Sequence, residues 1–102
     1  MMRLYQRPSD ELVVPSSDFT GIITVATAGT EVQGPDISAP NGFYICGHPS
    51  NTQNVWIMPH GEAKTSGYCL DAMQSILVRV ACLYSLDFDA DVNGEKLCYI
   101  KA

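Results

Sequence analysis

The densest group of side chains able to do chemistry lies in LDFDADVNGEKLCY, residues 86–99, where Asp87, Asp89 and Asp91 alternate with apolar residues and Glu95 follows. Carboxylates so close together suggest acid–base chemistry or a hard cation. The calcium-loop pattern requires Gly at its sixth position for a sharp turn, and Val92 stands there. Alternate carboxylates on a strand lie about 6.6–6.8 Å apart, too far for one cation to collect all three without a kink. A period of two places the aspartates on one face and Leu86, Phe88, Ala90 and Val92 on the other. The expectation is a solvated acidic outer face that discourages edge pairing, with no metal bound.

Nucleophilic catalysis needs a Ser or Cys held by a base and an orienting acid. No Gly-x-Ser-x-Gly elbow occurs, and His48 and His60 each sit in a loop beside Pro49 and Gly61. Both read as solvated loop histidines. Phosphate-binding and dinucleotide fingerprints are missing too, so no catalytic residue and no cofactor is assigned. Cys46, Cys69, Cys82 and Cys98 form no C-x-x-C pair and show no ligand-like spacing to the histidines, which argues against zinc. Four cysteines allow three pairings. The favoured reading is four buried free thiols acting as small hydrophobes.

The elements that must carry these residues read as strands. FTGIITVATA is rich in β-branched residues. TEVQGPDI is a short strand broken at Gly34-Pro35, which suggests an edge or a bulge. GFYIC (42–46) and QNVWIMP (53–59) follow, then an exposed polar loop over 60–67 and a brief extended Tyr68-Cys69-Leu70. MQSILVRVACL (73–83) is ambiguous; its alternation reads as a strand apolar on both faces, hence central or covered by a partner subunit. Asn93-Gly94 suits a type I′ turn, so Leu86–Tyr99 reads as a closing antiparallel hairpin. About eight short strands at spacings of about ten residues predict an all-β fold, an antiparallel β-sandwich or a jelly-roll-like barrel. This domain spans 19–102. Residues 1–18, with Pro8 and Pro15, read as an extended N-terminal arm.

Length and charge limit the function classes. The sequence has 102 residues, the size of one domain, with 46% hydrophobic and 17% charged residues and a net charge of −5. No basic stripe with interleaved aromatics is present, which argues against nucleic-acid binding. No apolar window has the length of a membrane span. MMRLYQRPSDE lacks the apolar core of a signal peptide, so no export is expected.

The remaining sharp feature is apolar surface. Val55 and Ile57 share one face of their strand while Trp56 and Met58 share the other, so one set needs a cover besides the core. A subunit interface is favoured over a glycan site, because interfaces select Trp, Tyr and Met. The arm is either a partly disordered terminus or a strap whose Leu4, Tyr5, Leu12, Val13 and Val14 lie on a neighbouring subunit. The candidate interface is therefore Leu4, Tyr5, Leu12, Val13, Val14, Trp56 and Met58.

TVATAGTEVQGPDI, HPSNTQNVWIMPHG, SGYCL and LDFDADVNGEKLCYI, in that order, resemble small virion proteins of tailed bacteriophages. The resemblance covers roughly residues 19–102 and is strongest at Asp89–Glu95. It implies a structural role, as a capsid decoration (cement) protein or a fibre-associated β-sandwich, and offers no catalytic residue to carry over. The implied partners are a major capsid protein and further copies of the chain, for instance as a trimer. The implied location is the capsid surface of the virion, after synthesis in the host cytoplasm. Two departures, the doubly apolar ILVRVACL and the four cysteines, point to a more enclosed or more oligomeric domain.

Overall fold

A computed structural model gives the fold and describes residues 19–102. Its strands are β1 (Thr20–Val25), β2 (Val32–Gln33), β3 (Phe43–Gly47), β4 (Val55–Pro59), β5 (Tyr68–Leu70), β6 (Ser75–Val78), β7 (Leu86–Ala90) and β8 (Glu95–Lys101). Single 3₁₀ turns at Lys64–Ser66 and Leu83–Ser85 are the only helical pieces among the described residues. The strands form two four-stranded antiparallel sheets, in the orders β1-β8-β3-β6 and β2-β7-β4-β5. The protein is an all-β sandwich. The pairs β1·β8, β2·β7, β3·β6 and β4·β5 are those of one long hairpin rolled over on itself, the jelly-roll arrangement.

Alternation along each strand sets the core. Ile23 and Val25 of β1, Phe43 and Ile45 of β3, and Leu97 and Tyr99 of β8 face Val55 and Ile57 of β4, Leu70 of β5, and Leu86, Phe88 and Ala90 of β7. Phe43 and Tyr99 meet edge to face with ring centroids 6.1 Å apart, a favoured aromatic geometry. The β2 strand is an edge strand, as the Gly34-Pro35 break predicts. A Cβ on Gly34 would lie 2.2 Å from the Leu83 carbonyl oxygen, so only Gly allows that approach.

Three expectations about the strands fail. The closing hairpin does not exist: β7 pairs with β2 and β4, whereas β8 pairs with β1 and β3 in the opposite sheet. Residues 91–94 carry the chain across the sandwich, and only Gly94 there has positive φ, so the type I′ turn is absent. The segment 73–83 is not one strand; β6 keeps only Ser75–Val78 and lies at a sheet edge rather than centrally. Met73 turns in the left-handed region at φ 68°. After Val78 the backbone bends, with the Val80 amide donating to the Val78 carbonyl and Ala81 and Cys82 joining residues 38–39. The aspartate face is solvated only at Asp91, which is exposed, since Asp87 and Asp89 are 6% and 1% exposed.

Candidate functional site

The acidic row serves the fold, one loop per carboxylate. Asp87 on β7 accepts from His60 Nδ1 at 2.9 Å and from the Gly61 amide at 3.0 Å. Burial works to raise its carboxyl, but the hydrogen bonds from His60 and Gly61 and the charge of His60 outweigh it and hold the group below the ordinary carboxylate range. Asp89 accepts from the Gly29 amide at 2.9 Å and from Ala90 at 2.7 Å, tying down the β1–β2 loop. Asp91 accepts from Lys64 Nζ at 2.9 Å and from the Trp56 indole N–H at 3.0 Å. The Lys64 hydrogen bond, joined by the indole bond and the Lys64 charge against a smaller cost of burial, holds Asp91 below its ordinary range. Lys64 is raised in turn by its bond to Asp91, which outweighs desolvation and is helped by the charges of Asp91 and Asp89.

Glu95 completes the set at the opposite sheet. It is 7% exposed, and its carboxylate receives the Thr52 amide at 3.0 Å and the Gln53 amide at 2.9 Å. Beside it the Asn51 side chain acts as a surrogate strand residue. Its amide nitrogen donates to the Lys96 carbonyl at 2.7 Å and its oxygen accepts from the Lys96 amide at 2.8 Å. The HPSNTQ loop is thus fastened to β8. Buried carboxylates need such partners, because an unpaired buried charge is costly.

This arrangement removes part of the expected interface. Met58 is fully buried: the loop carrying the Lys64–Ser66 turn folds over the outer face of β4. Gly67 lies so close that a Cβ there would meet Met58 Cγ at 2.7 Å. The side chain expected to seek a subunit is covered by its own chain. Trp56 remains partly exposed, held by Asp91. Leu4, Tyr5, Leu12, Val13 and Val14 lie outside the described residues.

Among the described residues Tyr68, Met73, Tyr84 and Val92 are exposed at separate places, whereas Ile22, Tyr44 and Ile100 share the outer face of the other sheet. The registers Thr20–Ile100–Tyr44–Leu77 and Ile22–Cys98–Cys46–Ser75 run side by side across the outer face of β1, β8, β3 and β6. Ile22 is 58% exposed, Tyr44 50% and Ile100 41%, and neither row holds a charged side chain. In a chain of net charge −5 this uncharged patch stands out. The signal was available in GIITV and KLCYI, each apolar on both faces, as the same test applied to VWIM would have shown.

The four cysteines are free thiols, but all are partly exposed rather than buried. Cys82 precedes the Leu83–Ser85 turn outside any strand and donates to Asp36 Oδ1 at 3.4 Å. His60 is exposed in its loop and leans on Tyr84, with ring centroids 6.4 Å apart. His48 is half-buried, and its Nδ1 accepts from the Ser50 amide at 3.1 Å. Comparison with family models, curated proteins and solved structures finds no match. Fold and surface describe a small jelly-roll β-sandwich whose buried acids hold its loops and whose first sheet carries two neighbouring uncharged rows on its outer face.

Proposed function

We propose that the protein is a non-enzymatic virion structural protein, a capsid decoration protein that binds the outside of a tailed-phage head as a homo-oligomer and stabilises it. The observation that carries this reading is the outer face of β1-β8-β3-β6, where Ile22, Tyr44, Leu77 and Ile100 form an uncharged patch suited to burial against protein. The sequence resemblance points the same way. Jelly rolls also recur in viral capsid and lectin domains, a fold-level analogy only. The clustered acids are already engaged with loops, so they offer no free acid–base pair to a substrate. A protein that binds only the assembled head stabilises it by mass action over many copies.

The test is to add purified protein to heads lacking it and to measure the bound copy number and the temperature at which heads release their contents. Saturable, symmetric occupancy with a higher release temperature supports the reading. No binding, or a few copies confined to the tail, overturns it in favour of a head–tail or baseplate adaptor. Trp56, partly exposed and oriented by Asp91, favours a second reading, a glycan- or receptor-binding module of a fibre. A glycan array comparing wild type with Trp56→Ala tests that reading, and it fails if wild type gives no signal.

A further inference from the structure

We propose that Cys46 and Cys98 form a reversible intramolecular disulfide across β3 and β8, closed by a small-molecule disulfide oxidant and readily reopened by thiols. The two residues are direct partners in the β3–β8 register and point to the same outer face. Both are partly exposed, so a small oxidant reaches them. Cys69 lies on β5 opposite Trp56, and Cys82 lies at the Leu83–Ser85 turn, so neither competes for this pairing.

The ladder defines the kind of pair. The His48 amide donates to the Lys96 carbonyl and the Ala102 amide to the Gly42 carbonyl. Hydrogen-bonded pairs between these strands therefore fall at 42/102, 44/100, 46/98 and 48/96. A hydrogen-bonded antiparallel pair has its Cα atoms about 5.5 Å apart, inside the range that disulfides span, although a relaxed disulfide brings its Cβ atoms to about 3.8 Å. Directly opposed Cβ atoms in a sheet lie about 4.5–5.5 Å apart. Closure must draw β3 and β8 together against intact ladder bonds, and the resulting strain makes the bond easier to reduce.

Chemistry orders the two steps. Burial, helped by the charge of Cys46 beside it, pushes the Cys98 thiol up, which casts Cys98 as the resolving thiol. The Cys46 thiolate attacks one sulfur of the oxidant, forms a mixed disulfide and expels one small thiolate, which takes up the proton Cys46 gave to solvent. Cys98, deprotonated in turn, attacks the Cys46 sulfur and expels the second small thiolate, which is likewise protonated. Overall, two protein thiols are oxidised and one small disulfide is reduced to two thiols.

The test is incubation of the full chain with oxidised glutathione, alkylation of remaining thiols, and peptide mapping. The expected result is loss of two of the four thiols, a cross-linked Cys46–Cys98 peptide two hydrogens lighter, and full reversal by excess reduced glutathione. The double variant Cys69→Ser/Cys82→Ser should behave identically. In Cys98→Ser the reaction should stop at a glutathione adduct on Cys46, because nothing resolves it. A persistent adduct on Cys46 in wild type, or disulfide-linked dimers through these residues, overturns the pairing. A cross-link that survives excess glutathione overturns the strain argument. Because mapping of the wild type decides both points, a variant that fails to fold does not remove the test.

Discussion

Replacing Glu95 by Ala should detach the 48–54 loop from β8. Two backbone amides donate to the Glu95 carboxylate, Thr52 at 3.0 Å and Gln53 at 2.9 Å, from a side chain that is 7% exposed. A hydrogen bond to a charged group contributes about 1.5–3 kcal/mol net. Thr52 and Gln53 are themselves exposed, so water recovers much of what their amides lose; we count one such bond rather than two. Removing one buried methylene adds about 0.8 kcal/mol. The sum is a loss of about 2–4 kcal/mol, read in urea as a midpoint lower by about 1–2 M with an unchanged slope. Glu95→Gln keeps one acceptor but turns an NH2 group toward a donor, and should lose about half as much. Hydrogen exchange should accelerate at Thr52 and Gln53, and at the Lys96 amide that Asn51 accepts. A loss below about 0.5 kcal/mol, the level of an ordinary surface substitution, would refute the idea that this buried acid is a fastener.

Other perturbations probe the same design. Gly67→Ala places a Cβ 2.7 Å from Met58 Cγ and 2.9 Å from the Ile57 carbonyl oxygen. Thermal or urea unfolding should show about 1–3 kcal/mol of destabilisation from overpacking against backbone. Asp87 and Asp91 are both held below their free value of 3.8. The stability they add is therefore present above pH 3.8 and is lost as the pH falls through their lower folded values. Unfolding followed down an acid series should show this decline, and Asp87→Asn/Asp91→Asn should flatten it. Protonation of Asp91 also loosens its bond to the Trp56 indole, so tryptophan emission should change over the same acid range and stay flat in Asp91→Asn.

Much of the fold was legible because strands advertise their faces. The alternation in LDFDADV put Leu86, Phe88 and Ala90 in the core correctly, but Val92, read onto the same face, lies past the end of β7 and is exposed. What alternation cannot reveal is what covers the other face. Asp87 and Asp89 belong to the outer face as read, yet loops from 26–31 and 60–67 fold over it, and hydrogen bonding makes burial tolerable. Met58 was misjudged for the same reason. Pairing was harder still. Asn93-Gly94 looked like a hairpin turn, but in a rolled topology sequential strands usually lie in opposite sheets, and only β4 and β5 are both sequential and paired. Local turn chemistry did not distinguish a hairpin from a crossing between sheets. The doubly apolar strands β1 and β8, which bear Ile22 and Ile100, were recognised as strands but not as the source of exposed apolar surface.

The proposed role depends on the outer face of β1-β8-β3-β6. The decisive measurement is head binding by Ile22→Lys/Tyr44→Lys, compared with wild type at equal concentration. Both side chains are at least half exposed, so the fold should be kept, with a urea midpoint close to wild type. If the proposed role is right, this double variant loses head binding by at least tenfold. A folded variant that binds heads as tightly as wild type would contradict it.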